Sequence, residues 1–274
     1  MVLNCSPQHI LTAMRFVSPF VLLCLLSACG APSPVPTTTP TLIITPVESA
    51  LAPDNPTAAP AEVIQETYGV SFTTPDGATL HGELYGTGTT AIIFSVMGNC
   101  KRGWDEFARL TAAQGFMALT YQWRGCRESG SANETELKLF VDDLRGAINF
   151  MHEQGAERIL LVGASLGGVA SAKLAVESQA SGIVVLASPS TISQWGFEVE
   201  AADVNTDVPK LFLIAENDNV VSITDARALF DLAAEPKEWQ IYPGTAHGTD
   251  LFDTENADEL QQRILEFILD TANQ

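Results

Sequence analysis

The sequence predicts an α/β fold, a mostly parallel, doubly wound sheet of about eight strands with helices on both faces. Three observations carry this. Strand-like runs of five to seven residues, most of them nearly unbroken apolar stretches, recur along residues 67–274. Stretches with helical periodicity fill the gaps between them. No repeat period or second domain interrupts the alternation.

The first pair of strands lies at Tyr68 to Phe72 and Thr79 to Tyr85, on either side of the turn signal Pro75-Asp76-Gly77. Then come Ala91 to Val96, Phe116 to Tyr121, Ile159 to Gly163, Ile183 to Ala187 and Leu211 to Ala215. Unbroken apolar runs of this length suit parallel strands, because helices cover both faces of their sheet. The last run, Glu238 to Tyr242, is more polar and suits an edge. Between strands, Leu137, Val141, Leu144, Ile148 and Met151 mark one face of a helix. Leu260, Ile264, Phe267 and Ile268 do the same near the C-terminus, and Ser222 with Asp225 can cap a helix beginning at Ile223.

Ahead of this domain the chain reads as an address and a tether. Arg15 precedes the apolar run Phe16 to Leu26, which ends in Leu26-Ser27-Ala28-Cys29. A basic start, a short apolar stretch and small residues before a cleavage point describe an export signal over residues 1–29. The stretch from Phe16 to Ala28 is 13 residues long, and a spanning helix needs about 20. Its ending resembles the bacterial lipobox, in which the cysteine is lipidated and becomes the new N-terminus, here Cys29. Met14, just before Arg15, is an alternative start. Residues 30–66 follow as a Pro/Thr/Ala-rich tether, with eight prolines between Gly30 and Ala61 that favour extended polyproline II over packing. Residues 67–274 are the folded domain. The expected location is therefore the bacterial cell envelope, outside the cytoplasm, with the lipid on Cys29 as membrane contact.

Charge narrows the partners. Against 14 Lys and Arg stand 33 Asp and Glu, a net charge of −19. Such a surface repels nucleic acid, and no basic patch argues otherwise. The cysteines fall at 5, 24, 29, 100 and 126 without a CxxC pair, so zinc-knuckle and thioredoxin-like readings have no support.

The chemistry is concentrated in three turns. Gly163-Ala164-Ser165-Leu166-Gly167 follows an apolar strand and opens a small-residue helix through Gly168, Ala170 and Ala172. That is G-x-S-x-G in the strand–turn–helix context the nucleophile elbow requires. Gly163 and Gly167 leave room for close backbone packing, and the helix N-terminus favours the negative charge that develops during attack. A serine hydroxyl needs a base. Of histidines 9, 81, 152 and 247 only His247 follows Ser165, in the loop Pro243 to Gly248 after the last strand. The acid that orients it belongs just beyond a strand between the two. Leu211 to Ala215 runs into Glu216-Asn217-Asp218, which makes Asp218 the first candidate and Glu216 the second. Asp203 and Asp207 precede the strand, while Asp225 and Asp231 belong to the next helix.

From about residue 68 to 270 the chain resembles the α/β-hydrolase superfamily, in particular small dienelactone-hydrolase-like and serine-esterase members. The elbow, the Asn-Asp-x-Val-Val acid turn, the Gly-Thr-Ala-His-Gly base turn and the segment Tyr121 to Gly130 carry the resemblance. It implies an oxyanion hole of backbone N–H groups from Leu166 and from Met97 or Gly98. Relatives often carry His-Gly after the third strand, where this chain reads Ser95-Val96-Met97-Gly98-Asn99. They also tend to carry Asp-x-Arg-Gly after the fourth, where this chain has Gln122-Trp123-Arg124-Gly125. Ser188 to Pro209 is too short for a helical cap, so a minimal lid is expected, with Trp123 or Trp195 as candidate pocket walls. In the superfamily the third and fourth strands are neighbours. With Cys29 lipidated and Cys5 and Cys24 removed, Cys100 and Cys126 are the remaining thiols and are expected to form a disulfide beside the oxyanion loop.

The resemblance implies a monomeric serine hydrolase that takes a small-molecule ester, a thioester or a small amide through an acyl-enzyme on Ser165. This chemistry needs no metal or organic cofactor. The competing reading is a surface scaffold lipoprotein that kept the fold and lost turnover; the presence of all three triad members argues against it.

Overall fold

A computed structural model describes residues 67–98, 100 and 103–274. The export signal, the lipidation site Cys29 and the tether lie outside the described residues.

The main sheet has eight strands: β1 (Thr67–Thr73), β2 (Thr79–Tyr85), β3 (Thr90–Val96), β4 (Met117–Gln122), β5 (Arg158–Ala164), β6 (Gly182–Leu186), β9 (Lys210–Ala215) and β10 (Lys237–Tyr242). A separate two-stranded ribbon is formed by β7 (Thr191–Ile192) and β8 (Phe197–Glu198). Sheet order is β1-β2-β4-β3-β5-β6-β9-β10. The β1–β2 and β2–β4 pairs are antiparallel and every other pair is parallel. Strand β10 is the edge that its polar sequence predicts.

The parallel strands alternate two apolar faces. Ile159 and Leu161 of β5 face one side and Leu160 and Val162 the other. Helices α3 (Phe140–Glu153), α4 (Leu166–Leu174) and α5 (Ile223–Leu232) cover the first face through residues such as Leu144, Val169 and Leu229. Helices α1 (Asp105–Ala113) and α6 (Ala257–Ala272) cover the other, and Leu260, Ile264, Phe267 and Ile268 of α6 are all buried there. Ser222 caps α5 by accepting the Asp225 backbone N–H at 3.1 Å.

Two elements depart from the sequence reading. The single helix expected from Leu137 to Met151 is broken. A one-turn helix α2 (Glu134–Leu137) precedes α3, with Leu139 outside helical geometry at φ −87°, ψ 18°. The capping box explains the separate nucleation: Asn133 accepts the Thr135 and Glu136 N–H groups, and Glu136 accepts the Asn133 N–H. The Ser188 to Pro209 segment holds no helical cap, but it does hold the β7–β8 ribbon.

The strand order places the site. From β3 the chain crosses to β4 on one side, while β5 pairs on the other. Crevices at such a switch point, outside the carboxyl ends of parallel strands, are where open α/β sheets bind ligands. Val96 pairs with Ala164, and Ala164 with Leu186, so three strands end side by side there. Trp104 fixes the end of β3. Fully buried against Phe94 and Phe252, it donates its indole N–H to the Ser95 carbonyl at 3.2 Å.

Candidate active site

Strand β5 runs straight into Ser165, which sits at φ 55°, ψ −125°. A positive φ at a residue with a side chain costs on the order of 1–3 kcal/mol and persists only where surrounding contacts enforce it. Here they do. Ser165 N–H donates to Leu186 O at 2.9 Å, and its carbonyl accepts Gly168 N–H (3.0 Å), Val169 N–H (3.1 Å) and Ser188 Oγ–H (2.8 Å). The glycines are sterically required. A Cβ on Gly163 would lie 2.2 Å from Gly167 O, and one on Gly167 would lie 2.2 Å from Ser95 O. The helix can therefore pack on the strand ends closely enough to lift the Ser165 hydroxyl above the sheet.

That hydroxyl meets the predicted base. His247 Nε2 lies 2.9 Å from Ser165 Oγ, and His247 Nδ1 lies 3.0 and 2.9 Å from the two Asp218 oxygens. Asp218 Oδ1 also accepts the backbone N–H groups of Val220 (2.8 Å) and Val221 (2.9 Å), and its side chain is fully buried. A carboxylate held this way requires a proton on Nδ1, which leaves Nε2 as the acceptor for Ser165 Oγ–H. The acid and base turns are stitched together by Asn217 N–H to Gly244 O (3.0 Å) and Asn219 N–H to Thr245 O (3.2 Å). Glu216, the second candidate acid, is exposed. Its backbone N–H bonds Tyr242 O, and it is Asp218 that pairs with the imidazole.

Beside the elbow, Leu166 and Met97 line one small cavity, while Gly98 stands exposed outside it. Because Val96 is the last residue of β3 paired with β5, Met97 is the next residue along, level with Ser165.

Comparison with known proteins bears on the fold. The family described as serine aminopeptidase, S33, matches residues 90–197, a stretch that includes the elbow. The uncharacterized protein YfhR of Salmonella typhi is 26% identical over 257 residues, covering 79% of this chain and 85% of that protein. Among solved structures, the Pyrococcus furiosus esterase Pf2001 superposes with a TM-score of 0.59 at 17% identity, covering 77% of this chain and 95% of that one. XC6422 from Xanthomonas campestris, described as an α/β serine hydrolase without lid, superposes at 0.58 with 14% identity, covering 74% and 94%.

The chain has the α/β-hydrolase fold.

In this α/β-hydrolase fold Ser165 opens into a cleft of about 430 Å³. Its walls are Leu166, the ribbon segment from Pro189 to Gln194, and Val220, Val221 and Asp225. Neither tryptophan considered in the sequence lines it. Trp195 packs on Phe140 with ring centroids 5.7 Å apart, and Trp123 is buried beside the smaller cavity. Ser95 Oγ and Tyr121 OH, both buried there, share a 2.5 Å hydrogen bond. Burial pushes the Tyr121 hydroxyl well above its usual range, so it stays a neutral O–H.

Cys100 and Cys126 are joined, with Cα atoms 5.6 Å apart. The link ties the turn after β3 to the loop after β4. A second tie in the same loop is ionic. Arg124 Nε donates to Asp143 Oδ1 at 2.6 Å and Arg124 N–H to Oδ2 at 2.8 Å, while both Nη atoms reach Asp76 at 2.9 and 2.8 Å. Asp76 belongs to the β1–β2 turn and Asp143 to α3. The Arg124 hydrogen bonds, with Thr74 assisting, hold the Asp76 carboxyl down at about 2. Burial pushes Asp143 up to about 6 against the pull of Arg124.

The sequence reading did not assign Ser188, the Arg124–Asp143–Asp76 network or the cleft-lining ribbon. One signal was available for the network. Asp143 is a charged residue among the buried positions Val141, Leu144 and Ala147 of α3, and a buried charge demands a partner.

Proposed function

We propose that this α/β-hydrolase is an exported, lipid-anchored serine esterase that forms an acyl-enzyme on Ser165. The carrying observation is the continuous relay in which His247 Nε2 stands 2.9 Å from Ser165 Oγ and Asp218 pairs with Nδ1. His247 takes the hydroxyl proton as Ser165 attacks the ester carbonyl. Asp218 stabilises the imidazolium and holds it in orientation. The Leu166 and Met97 N–H groups, with the N-terminus of α4, are the donors for the developing oxyanion. His247 then protonates the leaving alcohol, and a water activated by the same imidazole hydrolyses the acyl-enzyme. The open cleft without a cap fits a small ester with a solvent-accessible alcohol. The names of the solved esterases of like fold favour esters, and the S33 family description adds amides as a comparison substrate.

Fluorophosphonate labelling followed by an ester and aminoacyl-anilide panel tests this. Label on Ser165 with faster ester than anilide cleavage is expected. No label and no turnover would instead identify a scaffold that kept the fold. The anchor is tested separately: Cys29→Ser should release the protein from membranes or leave the precursor unprocessed, and a cleaved variant that stays membrane-bound would overturn it.

A further inference from the structure

The peptide that joins Ser165 to Leu166 serves two parts of the site at once. Its carbonyl belongs to the nucleophile, and its N–H is the Leu166 donor for the oxyanion. As the first residue of α4, Leu166 finds no partner for that N–H inside the helix. The peptide is trans, since the single cis bond among the described residues is Glu235-Pro236. A trans peptide is planar, with its C=O and N–H pointing in opposite directions. Whatever grips the Ser165 carbonyl therefore sets the direction of the Leu166 N–H.

Three donors grip it. Gly168 N–H at 3.0 Å and Val169 N–H at 3.1 Å belong to α4 and travel with it. The shortest contact, Ser188 Oγ–H at 2.8 Å, comes from the chain leaving β6 and ties the carbonyl to the sheet. Ser188 is 1% exposed, and the other acceptor near its single hydroxyl proton, Leu186 O, lies further away at 3.1 Å. The backbone is bent to bring the hydroxyl there. Buried Ala187 sits at φ 53°, a left-handed conformation that a residue with a Cβ keeps only where contacts enforce it. Its N–H is held by Leu213 O at 2.7 Å. The helix makes room as well, for a Cβ on Gly168 would stand 2.1 Å from Ser188 Oγ. Leu186 O accepts the Ser165 N–H at 2.9 Å, so the end of β6 holds the nucleophile's backbone on both sides. The grip on the N–H side fixes the serine. The grip on the carbonyl side reaches past it to the next N–H, and a hydrogen bond accepted by an amide carbonyl also polarises that amide into a stronger donor.

We propose that Ser188 is a positioning residue for the oxyanion hole, which aims and strengthens the Leu166 N–H by holding the Ser165 carbonyl. The inference rests on the esterase reading above. Ser188 touches neither substrate nor the reacting atoms; it acts through one peptide plane.

Ser188→Ala removes the donor and leaves the rest of the side chain in place. Phenyl acetate and its thiono analogue, in which sulfur replaces the carbonyl oxygen, are compared on the mature protein. Sulfur is a larger and weaker acceptor, so the thiono ester draws less on the oxyanion N–H groups. On the acetate, kcat and kcat/KM should fall together by about 5- to 10-fold, the scale of one hydrogen bond and well short of the roughly 10²–10³ lost with a whole oxyanion donor. On the thiono ester the fall should stay within about twofold, which lowers the ratio of the two rates. Misplacement of the nucleophile or base would slow both esters alike. An unchanged ratio, whether the acetate rate holds or both rates fall together, would make Ser188 a support of the elbow only and overturn the inference. If Ser188→Ala fails to fold, Ser188→Cys, similar in shape and a weaker donor, is read in the same way: a lower ratio supports the role and an unchanged one overturns it. A wild type that neither cleaves the acetate nor takes fluorophosphonate on Ser165 would instead bring down the esterase reading, and this inference with it.

Discussion

Replacing Arg124 by leucine removes the hub that ties the β1–β2 turn, the loop after β4 and helix α3 together. The side chain is 5% exposed and that of Asp143 is fully buried, so the substitution strands a carboxylate where water cannot reach it. Removing one partner of a buried pair costs about 3–5 kcal/mol. Asp76 is 33% exposed, and its shift from 3.8 to about 2 corresponds to roughly 2.4 kcal/mol at about 1.4 per unit, or about 1 after allowance for solvent screening. The terms overlap, and a combined loss of about 4 kcal/mol lowers Tm by roughly 8–16 °C in a domain of about 200 residues. The pH dependence has a definite sign. Asp76, lowered in the fold, stabilises above 3.8 and loses that contribution as pH falls through about 2. Asp143, raised to about 6, favours folding fully below 3.8 and loses this as pH rises through 6. Without the guanidinium Asp143 climbs further, so the deficit of Arg124→Leu should be larger at pH 8 than at pH 5. Thermal unfolding followed by circular dichroism at both pH values measures it. A drop of less than about 3 °C at pH 8, or a deficit that grows on acidification, would refute the reasoning.

Ser165→Ala should abolish ester cleavage and fluorophosphonate labelling with Tm nearly unchanged; activity above about a tenth of wild type would exclude it as nucleophile. His247→Ala should lose about 10⁴ to 10⁶ in kcat, and Asp218→Asn less, because the acid orients and does not react. Glu216→Gln should leave kcat unaltered, and a loss exceeding that of Asp218→Asn would reassign the acid. Cys100→Ser with Cys126→Ser opens a link of sequence separation 26 and should cost about 3 kcal/mol, with slower turnover because the turn carrying Met97 is released. Thiol titration of the denatured, unreduced mature protein should find neither of these thiols free. Gly167→Ala should be severely damaging, since its Cβ would press on the Ser95 carbonyl at 2.2 Å, and wild-type rates would contradict the packing argument.

The sheet was legible because parallel strands buried on both faces need apolar residues throughout, and their ends are therefore sharp. The run Ala91 to Val96 is extended by one residue in β3, and Thr79 to Tyr85 coincides with β2. The β7–β8 ribbon was not legible, because strands of two residues carry no periodicity. Nor was the break before α3, since the apolar spacing runs on through it. Ser165, His247 and Asp218 were readable because each sits in a turn whose composition the chemistry constrains. Their supports were not. Ser188 acts across 23 residues, and Arg124 reaches partners 19 and 48 residues away. Pairings of that kind leave no local pattern.

The stitching of the acid turn to the base turn divides the relay unequally. Asp218 and His247 ride on β9 and β10, the outermost pair of the sheet, and are joined through Asn217 and Asn219. Ser165 is moored further inside, to β6 and α4. The imidazole and its carboxylate thus form a single cassette at the rim, and the hydroxyl is the fixed post against which it docks. A shift of this rim would carry the base and the acid together. The imidazole would thus keep Asp218 as the acceptor for its Nδ1–H, and with it the tautomer that leaves Nε2 open to Ser165.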